Sequence, residues 1–249
     1  MDRAEYFSMQ GRVFIGPRNP NGSRGLARWV FDSSLLETAQ KVEREEKQES
    51  WSGQRTVAAT MNTKKGMTGN LTLGQLCTDN AALALDGERV EVVSGSVTGE
   101  PIGDVAAGDV WPLAYAAVSD LAMETGAAVA LIEDTDYTVD ETLGVVTFLT
   151  TKTGVTADYD YAAQSLVTAF TSDNQDYYIL FAGLNTVDGT STKCRGELYN
   201  LTMNPAENFG YIQASFGDLA LSFIAKMDPV RQIDPKFGPF GRLILIQEG

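Results

Sequence analysis

Between residues 54 and 87 the chain changes its hydrophobic period from two to that of a helix. Val57, Ala59 and Met61 alternate with Thr56, Ala58, Thr60 and Asn62, and past Lys64-Lys65-Gly66 the residues Met67, Leu71 and Leu73 alternate with Thr68, Asn70 and Thr72. Period two with one apolar face predicts two strands, each buried on one side only. The Lys-Lys-Gly corner has the length and the glycine of a short hairpin loop between them. Thr72 and Gln75 fit a capping box, Leu76, Cys77, Ala81, Ala84 and Leu85 form an apolar stripe, and Gly87 stands just past the end, so one helix follows.

The flanking sequence adds strands at residues 12–16 and 26–32, split by a Pro, Asn and Gly-rich loop at 17–25. Residues 35–42 read as a strand that runs into the charged stretch 43–49, which has no apolar face and reads as a loop. Residues 177–184 and 195–203 are apolar strands, and 219–226 alternates with Leu219, Leu221, Phe223 and Ala225 inward. Past a Gly/Pro-rich break at 229–241, Leu243-Ile244-Leu245-Ile246 has no polar alternation. It is a centrally covered strand in a monomer, or one that pairs with a neighbour in an assembly. The arm at residues 1–11, with Tyr6, Phe7 and Met9, has little local structure to pack against and is expected to add to a neighbour's sheet.

Residues 93–101, rich in Ser, Gly and Pro, read as a linker. Beyond it, strands at 130–133, 137–139 and 145–149, a hairpin loop at 140–144 and the alternation of Val155, Ala157, Tyr159 and Tyr161 describe a small β-sandwich. Residues 97–167 hold 12 acidic side chains and one basic one, whereas residues 1–65 hold 8 acids and 11 bases. The net charge of −14 is therefore concentrated in one segment. Such an acidic surface stays soluble and resists nucleic acid. The expected organisation is mainly β: residues 1–96 and 168–249 form a β-sandwich or barrel with one flanking α-helix, and 97–167 form an inserted acidic β-sandwich.

Composition removes several chemistries. The chain has no histidine, which excludes Ser-His-Asp and Cys-His nucleophiles and histidine metal sites. Cys77 and Cys194 are read as buried free thiols. No phosphate-cradling glycine motif occurs. Asp134-x-Asp136 is followed by Thr138 and Val139 where a calcium loop needs an acid or Asn and a Gly, so these acids are assigned to a turn. No cofactor, metal or catalytic residue is expected. No apolar run reaches the roughly 20 residues of a membrane helix. The first residues lack a secretory pattern, which points to synthesis and assembly in a cytoplasm.

The order of the central elements resembles the tail tube proteins of long-tailed, non-contractile bacteriophages. In that family a charged loop leads to a Thr-rich strand, a lysine-led strand ending in a Thr-Leu pair, and an Ala/Leu/Asn-rich helix ending in Leu-Ala-Leu-x-Gly. The matching pieces are residues 43–49, 55–63, 70–73 and 80–87. The match covers about residues 28–90 well and the chain after 190 loosely. It implies a subunit of stacked hexameric rings that form the phage tail tube, a conduit for genomic DNA. It also implies a location in the virion, outward projection of the insert, and contacts with tape measure, tail terminator and tip proteins. The loop at 43–49 is then expected to reach the next ring through Glu43, Arg44, Glu45, Glu46, Lys47 and Glu49, with Trp51 as an apolar anchor. Thr56, Thr60, Asn62, Thr68, Asn70 and Thr72 are candidates for a polar lumen that passes double-stranded DNA without specific binding. Tyr6, Phe7, Leu243 and Ile244 are candidate arm contacts. The competing readings are a secreted two-domain β-sandwich adhesin, which would need a signal peptide, and an acidic hydrolase, for which Trp29, Trp51 and Trp111 are too scattered to mark a cleft.

Overall fold

Alternation of the kind seen at residues 219–225 recurs along the chain, and its regular elements are accordingly strands in antiparallel sheets, with one helix. The computed structural model describes residues 6–172, 175–187, 192–231 and 234–246. Two units form. The first, Met1–Glu88 with Val167–Gly249, begins with β1 (Met9–Arg18), β2 (Arg28–Trp29), β3 (Ser33–Gln48), β4 (Val57–Leu73) and the helix α1 (Thr78–Leu85). The second, Arg89–Leu166, holds β5 (Arg89–Val92), β6 (Gly95–Val105), β7 (Val110–Pro112), β8 (Val118–Glu124), β9 (Tyr137–Asp140), β10 (Val145–Phe148), β11 (Lys152–Tyr161) and β12 (Gln164–Val167), whose last residue passes back into the first unit. The first unit resumes with β13 (Asp176–Asn185), β14 (Lys193–Asn204), β15 (Leu219–Ala225) and β16 (Gly241–Ile246).

In the first unit eight strands make one sheet in the order β2-β1-β13-β14-β15-β4-β3, with β16 also paired to β14. Val13 and Ile15 of β1, Ile179 of β13, Leu201 of β14, Leu71 and Leu73 of β4 and Leu219, Leu221 and Phe223 of β15 share one core. Helix α1 adds Leu83 and Ala84 to that core. Its placement rests on Asn80, fully buried, whose amide donates to the Val30 and Gln75 carbonyls (3.1 and 2.9 Å) and whose carbonyl accepts from Arg28 (2.8 Å). A buried amide with both ends satisfied fixes orientation as well as position.

Several sequence expectations are corrected here. Val57–Leu73 is one continuous strand of 17 residues, so Lys64-Lys65-Gly66 is not a turn. β4 is paired with β3 on both sides of the lysines, and that pairing carries the strand through them. The helix is capped at Cys77, with no side-chain cap, rather than by a Thr72–Gln75 box, because Thr72 is held in the β4 ladder. Leu76 lies before the helix and is exposed; the buried positions are Asn80, Ala81, Leu83 and Ala84. The left-handed residue after the helix is Asp86 (φ 48°, ψ 46°). Gly87 is needed for a different reason: a Cβ there would fall 1.6 Å from the Thr168 carbonyl oxygen. Met9, Gln10 and Gly11 are not a free arm but part of β1, paired with β13 of the same chain. Residues 1–5 of the expected arm lie outside the described residues. Cys77 is half-buried and Cys194 buried, both as free thiols, and burial pushes the Cys194 thiol up from its ordinary value.

The second unit has two three-stranded sheets, β7-β10-β9 and β6-β11-β8, and a two-stranded β12-β5 pair. Val146, Phe148, Val155, Ala157 and Tyr159 are central to its core, with Tyr161 half-buried and stacked on Tyr115 at 4.0 Å. Most of the stretch read as a linker is strand β6, aligned on β11, so composition there marked strand residues with a bulged register rather than a flexible joint. Residues 130–133 make only isolated bridges, from Ala130 to Glu124 and from Glu133 to Tyr137. Asp136 accepts from Lys152 (2.8 Å), the Ile132 amide (3.0 Å) and Thr150 (3.0 Å), and these bonds, Lys152 first, hold its carboxyl down at about 2.

Within the first unit Thr168 donates its amide to the Glu88 carbonyl (3.1 Å), so the chain closes on itself where the second unit is inserted. Replacing Arg89–Leu166 by a short Gly/Ser linker should therefore leave the first unit folded, with cooperative thermal unfolding followed by circular dichroism; loss of that transition contradicts the division. Leu71→Ala should cost the folded chain about 2–5 kcal/mol in denaturant unfolding. Met61→Ala on the same strand, where the side chain is 61% exposed, should cost less than about 0.5 kcal/mol.

Candidate assembly surface

The two longest strands of the chain form a hairpin that outruns the body of the sheet. β4 pairs with β15 only from Met67 to Leu73, whereas it pairs with β3 along its whole length. Residues 41–48 and 57–66 are thus a two-stranded ribbon, roughly 25 Å long at about 3.3 Å per residue. Val57, Ala59 and Met61, expected to be buried on one side, are exposed, as are their alternating partners Thr56, Ala58, Thr60 and Asn62. Among the described residues the ribbon buries neither face, and its outer backbone edges pair with nothing.

The charged stretch is strand, not loop. Glu43, Arg44, Glu45, Glu46 and Lys47 each face a residue of β4, from Lys64 back to Ala59. The absence of an apolar face, which favoured a loop, instead marks a ribbon with no core beneath it. Lys41 and Glu43 form an exposed pair at 3.2 Å, and Arg44 reaches across to Asn62 at 3.3 Å.

A register slip decides which side chains share a face. Arg44 opposes Asn62 but Glu43 opposes Lys64, so Thr63 is an extra residue on β4. A bulge of this kind transfers the alternation to the other face. Thr68, Asn70 and Thr72 therefore lie with Ala39, Glu37 and Leu35 on the outer face, and Asn70 donates to Glu37 at 2.7 Å. Thr60 and Asn62 lie with Glu46 and Arg44 on the face that continues from Met67 and Leu71. Thr56 stands outside β4 in the connecting loop. The single polar face expected for these six residues is thus divided, because a strict period of two carries no sign of a bulge.

The tip of the ribbon is built by Glu49. Its carboxylate accepts from the amides of Trp51 and Ser52, both at 2.9 Å, and from the Ser52 hydroxyl, while its own amide donates to the Thr56 carbonyl at 2.8 Å. These bonds, the Ser52 hydroxyl first, hold the carboxyl down at about 2. Glu49 is buried in its own loop and is therefore a tip staple rather than a surface contact. Trp51 projects beyond it with 80% of its surface exposed.

The other arm candidates separate. Asn185 donates to the Tyr6 carbonyl (2.9 Å) and accepts the Ser8 amide (2.8 Å), which fixes the backbone while the side chains of Tyr6 and Phe7 stay exposed. Leu243 and Ile244 lie in β16, which pairs with β14 alone among the described residues, and Leu243 and Leu245 are more than half exposed. The run is an edge strand, not a doubly covered central one.

Sequence pattern gave no sign of Glu197. This buried carboxylate lies near Arg195 (2.8 Å), Arg242 (3.1 Å) and Arg24 (3.8 Å). Burial pushes it up, but the hydrogen bond and charge of Arg242, with the charges of Arg195 and Arg24, outweigh burial and hold it below the ordinary carboxylate range. Glu197 and Arg242 line a cleft of about 1080 Å³ beneath β3, whose floor includes Val13, Ile179, Phe181 and Leu198.

Because the folded Glu49 carboxyl is depressed from 4.5 to about 2, the tip loop gains stability from it at pH above about 4.5 and loses that gain as pH falls towards 2. The Trp51 and Ser52 amide resonances should titrate with a midpoint near 2; a midpoint near 4.5 means that the staple is absent. Glu49→Gln should remove this titration.

Among the described residues no helix is long and apolar enough to cross a membrane. No curated protein matches the chain. A family model described as protein of unknown function UCP028589 matches residues 6–244, and the chain belongs to that family.

Proposed function

We propose that this chain is a structural subunit that assembles with its own copies into stacked hexameric rings forming the tail tube of a long-tailed, non-contractile bacteriophage. The observation that carries the proposal is the ribbon of residues 41–48 and 57–66. An isolated two-stranded hairpin is only marginally stable in water. A ribbon this long, solvated on both faces and along both edges, is better explained by a partner that covers it than by the needs of one subunit. Trp51 at the tip is the residue type that dominates interface energetics. The mixed charges of Glu43, Arg44, Glu45, Glu46 and Lys47 contribute on the order of 0–1 kcal/mol each, but a ring repeats every contact. Head-to-tail contacts repeated in this way close into rings or extend as filaments.

The number of copies, the stacking and the virion location follow from the resemblance of residues 28–90 to tail tube proteins. So do the contacts with tape measure, tail terminator and tip proteins. Double-stranded DNA passes through the tube without specific binding, and Thr68, Asn70 and Thr72, neutral and small, suit a wall that must not grip phosphates. The same resemblance implies that the acidic unit is an external decoration, and its charge would keep tubes from adhering to one another. No catalytic group or cofactor takes part.

Negative-stain microscopy of the purified protein should show rings or tubes. Changing Glu43, Glu45 and Glu46 together to Lys, or Trp51→Ala alone, should leave circular dichroism unchanged and shift sedimentation to single rings or monomers. Full-length tubes from both variants at physiological salt would assign the ribbon to solvated surface.

A further inference from the structure

The first unit holds a group of arginines that its own acids do not neutralise. Arg18 and Arg24 are cross-strand neighbours in an isolated bridge. Arg18 and Arg231 share Asp228, at 3.4 and 3.3 Å. Arg24 and Arg231 both lie over the ring of Tyr199, 5.7 and 4.6 Å from its centroid. Each arginine of this triangle is thus tied to the other two. Further rings hold the guanidinium planes: Tyr178 packs on Arg24 at 4.9 Å and Phe237 on Arg231 at 6.0 Å. Packing on rings uses the flat of a guanidinium and leaves its N–H edge for acceptors.

Those edges are under-filled by the chain. Arg18 is 8% exposed, and its buried Nη2 has no hydrogen-bond acceptor among the described residues. The nearest approach of Arg24 to a carboxylate is 3.8 Å, to Glu197, beyond hydrogen-bond reach. Glu197 is held more closely by Arg195 (2.8 Å) and Arg242 (3.1 Å). Burial, and then the charge of Arg231, pulls the Arg24 guanidinium down from its ordinary value. The other acids nearby are engaged. Asp176, opposite Arg18 on β13, is held by Lys226 (2.8 Å) and Thr202 (3.1 Å), and Asp234 accepts the Lys236 amide (2.9 Å). Even with Asp32, which lines the neighbouring cleft with Glu197 and Arg242, the five guanidiniums around Asp228 and Glu197 outnumber the carboxylates. A buried donor without an acceptor is rare in folded proteins, and an ion is one of the groups that completes such a site.

We propose that Arg18, Arg24 and Arg231 form a binding site for a small tetrahedral oxyanion of the phosphate class. Planar guanidinium forks match the oxygens of such an anion and bind them in pairs. Arg24 and Arg231 keep 31% and 28% of their side chains exposed, so an ion enters from solvent past them. Arg18, at the back, lies too deep for the backbone of a DNA duplex, which favours a free anion. The bound anion also fastens the chain before β16. The Asp228 amide donates to the Pro239 carbonyl (2.8 Å) and the Tyr199 hydroxyl to the Phe237 carbonyl (3.0 Å), so that segment and the triangle pack as one. The site does not depend on the assembly reading.

The test titrates the full chain with inorganic phosphate by calorimetry at constant ionic strength, with sodium chloride as the reference. One site per chain with a Kd at or below about 1 mM is expected. Arg24→Gln and Arg231→Gln should each weaken binding at least tenfold. Lys64→Gln, which removes the same charge from the exposed ribbon, should change it less than about twofold. Circular dichroism checks folding, and Arg24→Lys, which keeps the charge and loses the fork, is the milder variant and should also weaken binding. Phosphate should slow hydrogen exchange at the Asp228 and Phe237 amides of the wild type and not of the glutamine variants. Heat no greater than that of chloride, or equal weakening by Lys64→Gln, overturns the site. Unchanged binding in the Arg24 and Arg231 variants places the anion elsewhere and overturns it too. A short DNA duplex that displaces phosphate at equal phosphate concentration overturns the choice of a free anion; a duplex that fails to compete supports it.

Discussion

The structure depends on a conflict between backbone pairing and burial at β3 and β4. Up to Met67 the two strands belong to a sheet that shares a core with β1, β13 and β15, and their pairing is supported by Leu71, Leu73 and Phe223. Beyond Met67 the ladder continues with nothing beneath it. Hydrogen bonds between exposed strands exchange for bonds to water and contribute little net stability. An exposed strand edge also invites pairing with another chain. Charged residues along this ribbon keep it solvated while leaving the backbone edges available.

The body is arranged so that the ribbon has a rigid root. Asn80 ties α1 to Val30 and Arg28, and α1 packs on β15, the strand that holds the base of β4. At the far end Glu49 gathers the turn's amides, which gives Trp51 a defined direction. Rigidity at both ends lowers the ordering cost that a floppy loop would incur on docking. The second unit has its own core and is inserted in the chain between Glu88 and Val167.

The mainly β class and the single helix were legible in the sequence, because alternation at 219–225 and 155–161 and the stripe of Leu76, Cys77, Ala81, Ala84 and Leu85 are local signals, although of that stripe only Ala81 and Ala84 are buried and Leu83 was missed. Strand continuity was not. Lys64-Lys65-Gly66 has turn composition, but each of the three has a cross-strand neighbour on β3 (Glu43, Val42 and Lys41), and the strand runs through them. The bulge at Thr63 was invisible because it is a property of two registers, not of one sequence. The apolar run at 243–246 suggested a covered centre, whereas β16 lies at an edge; hydrophobicity reports the need for cover and not whether the same chain provides it. Of the ribbon residues, Glu43, Arg44, Glu45, Glu46, Lys47 and Trp51 do lie on one projecting hairpin, whereas Glu49 is buried at its tip, where only the geometry reveals its amide partners. The Glu197 arginines come from residues far apart in sequence, at 24, 195 and 242, which no local pattern brings together.

Hydrogen exchange resolved by residue, measured on dilute and on concentrated protein, addresses the role of the ribbon most directly. In dilute protein the amides of residues 41–48 and 57–66 should exchange orders of magnitude faster than those of residues 67–73, because local opening there exposes no core. At concentrations high enough for the proposed assembly, the same ribbon amides should become protected while residues 67–73 change little. Ribbon amides as protected as the core in dilute protein, or unprotected in the assembled state, would contradict a docking role for the hairpin.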